Sequence, residues 1–256
     1  MSRVWTRPVG RRGFLIGAGS IGLAAGLTGY GLLRERPDDR PLALVYRGPA
    51  ASPGCPEAVA HLLETAPSPL RAVFCGPDEQ VQLTAESLSH AVVYAQPGGG
   101  TVGPAWRRMR AHTDDIRAFV RGGGNYLGFC LGAYLAGADH GFGLLAGEVG
   151  RYIDTEDAEV DDTDSTVLEI DWRDERRHMF FQDGPLFTPG SGDTVLARYQ
   201  TGAVAAMIAG YGAGRVGVVG PHPEADSTWY TGPGLSNPDG IEFDLGHDLV
   251  ATTLQR

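Results

Sequence analysis

The chain contains no lysine; all 21 of its basic residues are arginine. That absence excludes Schiff-base chemistry, a P-loop phosphate-binding lysine and a biotin-acceptor lysine within these residues. Cysteine is scarce, at three in 256 residues. Positive charge is scarce as well, and it is unevenly spread. Six arginines and a single acid, Glu35, lie before position 37, which leaves 15 arginines against 30 carboxylates beyond it. A surface that negative repels phosphate backbones, so nucleic acid is not expected as a partner. The hydrophobic share of 42% is ordinary for a chain that buries a core, and 256 residues suit one α/β domain with a leader or two small domains.

The first 36 residues read as an address. The pair Arg11-Arg12, followed by Gly13, Phe14 and Leu15 and an uncharged stretch to Leu33, resembles a bacterial twin-arginine export signal. Gly10 and Ile16 depart from the residues usual at their places. The other reading is a plain membrane anchor through residues 14–33, since about 20 uncharged residues suffice to cross a bilayer. Either one implies an extracytoplasmic, secreted or tethered protein. No small-residue cleavage site precedes Arg34, and no cysteine follows the apolar run, which excludes a lipoprotein anchor. Residues 1–36 are therefore set apart as signal or anchor with linker, and residues 41–256 as the folded domain.

Within that domain, "LALVY" (42–46), "LRAVF" (70–74), "HAVVYAQ" (90–96) and "NYLGF" (125–129) are short apolar runs bounded by glycine and proline, which predicts buried strands. Helical spacing fills the gaps at 56–66 and 105–121, and again at 131–138. Strands alternating with helices predict a doubly wound, mostly parallel sheet with its site at the carboxyl ends of the strands. The second half, from "EVGRYI" to "RVGVVGP", alternates like antiparallel hairpins, and residues 240–255 close as a helix. The acidic stretch Asp154–Asp164 lacks the central glycine and closing glutamate of a calcium loop, so it reads as a solvated loop and no metal is expected.

One corner stands out. In "GFCLGAYL", Cys130 lies between Gly128 and Gly132, directly after a predicted strand. A single cysteine is commonly a small buried hydrophobe. Small neighbours on both sides instead suit a nucleophile held at a strained strand-to-helix elbow. A thiol nucleophile needs a base, and the base needs an orienting group. Of seven histidines, His222 stands apart: "VGVVGPHPE" ends an apolar strand and delivers His222 and Glu224 with a rigid proline between them.

Gly128-Phe129-Cys130-Leu131-Gly132 with His222-Pro223-Glu224 resembles the nucleophile elbow and His-x-Glu pair of class I glutamine amidotransferases. More narrowly, "VYRGPAASPG", "PGGG", "FVRGGGNYLGFCLGAYLAG", "FFQDGP", "VLARYQ" and "VGPHPE" are similar to the amidotransferase-like domain at the N-terminus of eukaryotic-type biotin–protein ligases. The ligase's own catalytic domain and biotin loop are absent. The resemblance implies a flavodoxin-like fold, Cys130 as nucleophile, His222 as base and Glu224 as its orienter. It also implies an oxyanion hole from the amides of Leu131 and the Gly98–Gly99 stretch, with Gln182 and Asp183 of "FFQDGP" lining the pocket; an ordinary turn at Asp183-Gly184 is the other reading there.

Two departures from the family bear on substrate. Tyr134 occupies the place where glutamine-hydrolysing members usually carry glutamine, and no glutamine-clamping motif is seen, so free glutamine is not the expected substrate. Cys55 and Cys75, an even pair in an oxidising compartment, are candidates for a disulfide, against two unpaired thiols. The sequence thus predicts an exported thiol hydrolase of a small-molecule or peptide amide or acyl bond, without metal or cofactor. The rivals are a non-catalytic binding module on the same fold and an envelope cysteine peptidase. Replacing Arg11 and Arg12 together by lysine should leave the protein in the cytoplasm, measured by cell fractionation; unchanged export would point to the general secretory route.

Overall fold

Residues 38–255 are described by the computed structural model; the Arg11-Arg12 pair and residues 14–33 lie outside the described residues. The first half is built from β1 (Leu42–Tyr46), α1 (Cys55–Thr65), β2 (Arg71–Cys75), α2 (Ala85–Ser89), β3 (Val93–Gln96), α3 (Val102–Met109), α4 (Thr113–Arg121), β4 (Asn125–Phe129) and α5 (Leu131–Ala136). The second half contains β5 (Val149–Arg151), β6 (Thr166–Trp172), β7 (Glu175–Phe181), β8 (Pro185–Phe187), β9 (Thr194–Tyr199), β10 (Val204–Tyr211), β11 (Gly214–Val219), α6 (Ser227–Thr231) and α7 (Asp244–Leu254). Among the described residues, no helix is long and apolar enough to cross a membrane.

All the strands join one sheet, in the order β2-β1-β3-β4-β11-β10-β9-β6-β7, with β5 and β8 branching from β10. The pairs from β2 to β11 are parallel, and those beyond β11 are antiparallel. The parallel strands are predominantly apolar because both faces of the central ones are covered. Ala43 and Val45 of β1 pack with Leu62 and Leu63 of α1 and Leu249 of α7 on one face. Leu44 and Tyr46 pack on the other, in the cluster holding Met109 of α3, Ile116 and Val120 of α4, and Leu135 of α5. This is a flavodoxin-like, doubly wound fold.

Two sequence expectations need adjustment. The single helix expected over 105–121 is two helices separated by a tight turn at Arg110–His112, with Asp114 and Asp115 in the first turn of α4, where the helix dipole favours acids. The last hairpin is more than an antiparallel pair: β11 bonds β10 antiparallel and β4 parallel. That strand fuses the two halves of the sheet.

The elbow after β4 is packed too tightly for side chains. A Cβ on Gly132 would lie 1.9 Å from the Gln96 carbonyl oxygen, and one on Gly128 would lie 2.7 Å from the Gly132 carbonyl oxygen. Both obstacles are backbone and cannot swing away. Gly132→Ala should therefore cost about 1–3 kcal/mol in stability, as overpacking of a filled interior does. Gly210→Ala, where nothing lies within 4 Å of the new Cβ, serves as the comparison. Thermal unfolding of the two variants checks this, and equal midpoints would contradict it.

Candidate active site

Cys130 is the residue between β4 and α5, and its backbone is held at φ 47°, ψ −104°. Positive φ is uncommon for a residue with a Cβ and signals local strain. The strain is held by neighbours: the Cys130 amide donates to the Val219 carbonyl (2.9 Å), and its own carbonyl accepts from the Ala133 and Tyr134 amides. Cys130 is 6% exposed and lines a cavity of about 700 Å³.

β11 runs beside β4 with Val219 opposite Phe129, so Gly220 and Cys130 leave the sheet side by side. Two residues on, His222 is pinned by its amide, which donates to the Phe180 carbonyl (2.9 Å). Its ring is buried between Phe180 and Trp229, at centroid distances of 5.8 and 5.1 Å. Nδ1 faces Glu224 Oε1 at 2.8 Å, and Glu224 is fully buried with Oε2 unpartnered. Burial works against a charged imidazole. The charges of Glu224 and Cys130, with the hydrogen bond to Glu224, outweigh it and raise the ring to about 10. The structure thus brings Cys130, His222 and Glu224 together across about 90 residues of chain.

The remaining candidates converge on the same cavity. Gly98 lies against the ring: its Cβ would fall 3.0 Å from His222 Cε1. Gly99 and Leu131 touch, since a Cβ on Gly99 would lie 2.7 Å from Leu131 Cδ2. Buried Gln96 fixes this strand end, accepting from Tyr94 Oη (2.6 Å) and donating to the Ala50 carbonyl (3.0 Å), while the Ser52 amide donates to the Gly98 carbonyl. The Gln182 carbonyl is 3.6 Å from Cys130 Sγ, and Tyr134 Oη donates to the Asp183 carbonyl at 3.3 Å. Asp183 has φ 51°, so this segment is both a turn and a wall of the cavity. Burial, then the charge of Asp183, pushes the Tyr134 phenol up, so it remains a neutral donor.

Of the two readings left open for Cys55 and Cys75, the bridge is not the one the structure has. Cys55 and Cys75 are both free thiols. Cys55 begins α1 and lines the same cavity as Cys130, and a Cβ on Gly98 would lie 3.6 Å from its sulfur. Cys75 ends β2 and packs with Leu44 and Tyr46 on the other face of the sheet from α1. Burial foremost, then the charges of Glu224 and Cys130, pushes Cys55 up to about 12; burial and Glu79 do the same to Cys75. Several lining residues escaped the sequence reading, among them Arg151, which clamps Asp183 at 2.6 and 2.9 Å, Trp229 and Thr163. Trp229 stands five residues past Glu224, and that proximity to the His-x-Glu pair was the available signal. Among the described residues, no cluster of histidine, cysteine and carboxylates could hold a metal ion.

Comparison with known proteins agrees with this architecture. Residues 42–149, from β1 past the elbow, match the family described as biotin-protein ligase, N terminal. A glutamine amidotransferase from Thermotoga maritima superposes with a TM-score of 0.55 at 11% identity, over 85% of this chain and 99% of its own. The fold is that of the class I glutamine amidotransferases. A Thermoplasma acidophilum protein provisionally named as part of a GMP synthase superposes at 0.53 with 11% identity, covering 83% of this chain and 95% of its own. No curated protein matches the sequence.

The raised pKa of His222 has a consequence for stability. The folded protein keeps a proton that the unfolded chain releases near 6.5, the ordinary value for histidine. The stabilisation linked to that proton is complete below about pH 6.5 and is lost as pH rises toward about 10. The thermal midpoint should therefore fall more steeply over this window in the wild type than in His222→Gln. Parallel curves would remove the charged-imidazole assignment.

Proposed function

We propose that this chain is an exported thiol hydrolase acting on an amide or acyl bond, with Cys130 as nucleophile, His222 as acid and base, and Glu224 as orienter. The observation that carries the reading is a buried imidazole bonded through Nδ1 to Glu224 at 2.8 Å and lining the same cavity as the strained Cys130 thiol. An imidazolium beside a sulfur favours the thiolate form, the reactive one. The sulfur attacks the carbonyl carbon. The resulting oxyanion takes hydrogen bonds from the Leu131 amide and the amides of Gly98 and Gly99. Collapse breaks the bond to the leaving group, which takes its proton from His222 and leaves a thioester on Cys130. Water, deprotonated by the now neutral His222, then releases the acid.

Free glutamine is a poor fit to this site. The Tyr134 hydroxyl already donates to Asp183, and a rigid ring stands where a flexible side-chain amide would serve. A larger amide or acyl compound suits the cavity better. In this reading residues 1–36 deliver the domain 41–256 across the membrane and leave it secreted or tethered.

The test is a hydrolysis panel of glutamine, peptide amides and acyl esters with purified protein. Turnover of a larger amide should exceed that of glutamine and vanish in Cys130→Ala. His222→Ala should lower kcat/KM by roughly 100- to 10,000-fold, the usual weight of general acid–base catalysis. No turnover of any compound would favour a binding module on the same fold.

A further inference from the structure

The cavity over Cys130 does not stand alone. A second cavity, of about 750 Å³, adjoins it along Val102, Tyr134 and Arg151, which line both. Tyr134 is one helical turn along α5 from Cys130, so the boundary between the two spaces lies close to the sulfur. One cavity of about 700 Å³ is already within the range that encloses a drug-sized ligand. A single amino acid leaves most of the combined space empty.

The second cavity has a backbone-rich floor. Gly137, Ala138, Gly147 and Gly150 line it, and at Gly147 packing enforces the glycine, because a Cβ there would lie 1.8 Å from the Thr188 carbonyl oxygen. A floor without large side chains suits a chain lying along it. The charges lining the space are unbalanced. Arg151 is committed to Asp183 at 2.6 Å and to Asp154 at 3.4 Å, and His140 faces Asp139 at 2.9 Å. Glu148 is exposed and, among the described residues, joins no ion pair. With Asp139 it leaves the second cavity net negative once Arg151 is spoken for.

We propose that the substrate is an extended, peptide-like amide whose reacting carbonyl sits at Cys130 and whose cationic portion lies beyond Tyr134 in the cavity bordered by Glu148 and Asp139. This rests on the thiol-hydrolase reading and adds the class of molecule that reading requires. Tyr134 and Arg151 form the gate between the two spaces, and the Arg151–Asp183 clamp keeps the guanidinium from repelling the passing cation. An acidic substrate is excluded by the same charges.

Three chloroacetamides test it: one capped with a methyl group, one with a tripeptide-length tail ending in an amine, and one with the same tail ending in a carboxylate. In each, the Cys130 sulfur displaces chloride; a carbon–sulfur bond forms, the carbon–chlorine bond breaks, and the thiol proton remains on His222. Rates of adduct formation at Cys130 are read by mass mapping and divided by each reagent's rate with free cysteine. The amine-tailed reagent should react at least about tenfold faster than the capped one, a difference of about 1.4 kcal/mol in effective binding. Its advantage should shrink with added salt and fall toward one in Glu148→Gln and, independently, in Ala138→Trp. Equal rates for short and long reagents would overturn the proposal, as would a carboxylate tail that performs as well as the amine. No adduct at Cys130 with any reagent would instead remove the thiol reading beneath it.

Discussion

The hydrogen bond from the Cys130 amide to the Val219 carbonyl is the contact on which the site depends. It is the last rung of the parallel ladder between β4 and β11, and it sets the ends of the two strands level. Cys130 comes from the parallel half of the sheet, while His222 follows a strand whose other edge belongs to the antiparallel half. A slip of one residue would turn every β11 side chain to the opposite face and carry His222 away from the thiol. Register is secured on both sides of β4. Gly132 packs against Gln96 at the end of β3, and Val216 and Val218 of β11 are buried under the helices of one face.

Beyond β11 the sheet must curl. β7 lies four places from β11 in strand order, yet the Phe180 carbonyl accepts from the His222 amide, and the Gln182 carbonyl reaches the Cys130 sulfur. Strands lie about 4.8 Å apart, so a flat sheet would keep these groups well apart. The short helix α6 completes the enclosure. Asp226 caps it, the Phe180 amide donates to the Tyr230 hydroxyl, and Trp229 is left against the imidazole. The ring is thus fixed by backbone on one side and aromatics on two others.

The parallel half was legible because strands covered on both faces are continuous apolar runs, and the elbow was legible because cysteine between two glycines has few structural uses. The Cys130, His222 and Glu224 group could be anticipated as a set, though its spacing gave no measure of burial. Of the two readings the sequence left open for Cys55 and Cys75, a bridge or two free thiols, the structure has the second: the loop after β1 is drawn across β3 by the Ser52–Gly98 and Gln96–Ala50 hydrogen bonds, which turns Cys55 toward His222. β8 and α6 have three and five residues, too few to show any periodicity. Arg151 and Thr163 reach the cavity only through the curl of the second half, which no local pattern encodes.

The energetics of the site bear on whether it binds or reacts. A non-glycine residue held outside the common backbone regions, as Cys130 is, costs on the order of 1–3 kcal/mol. Buried ion pairs seldom repay their own desolvation, so the His222–Glu224 pair is not accounted for by stability. Recognition alone needs none of these features, because a pocket can be lined with neutral, relaxed groups. What the arrangement does supply is an imidazole of fixed orientation bonded to a buried carboxylate, and a thiol projected from a strained turn into the same cavity. These are the features on which the proposed acyl transfer rests.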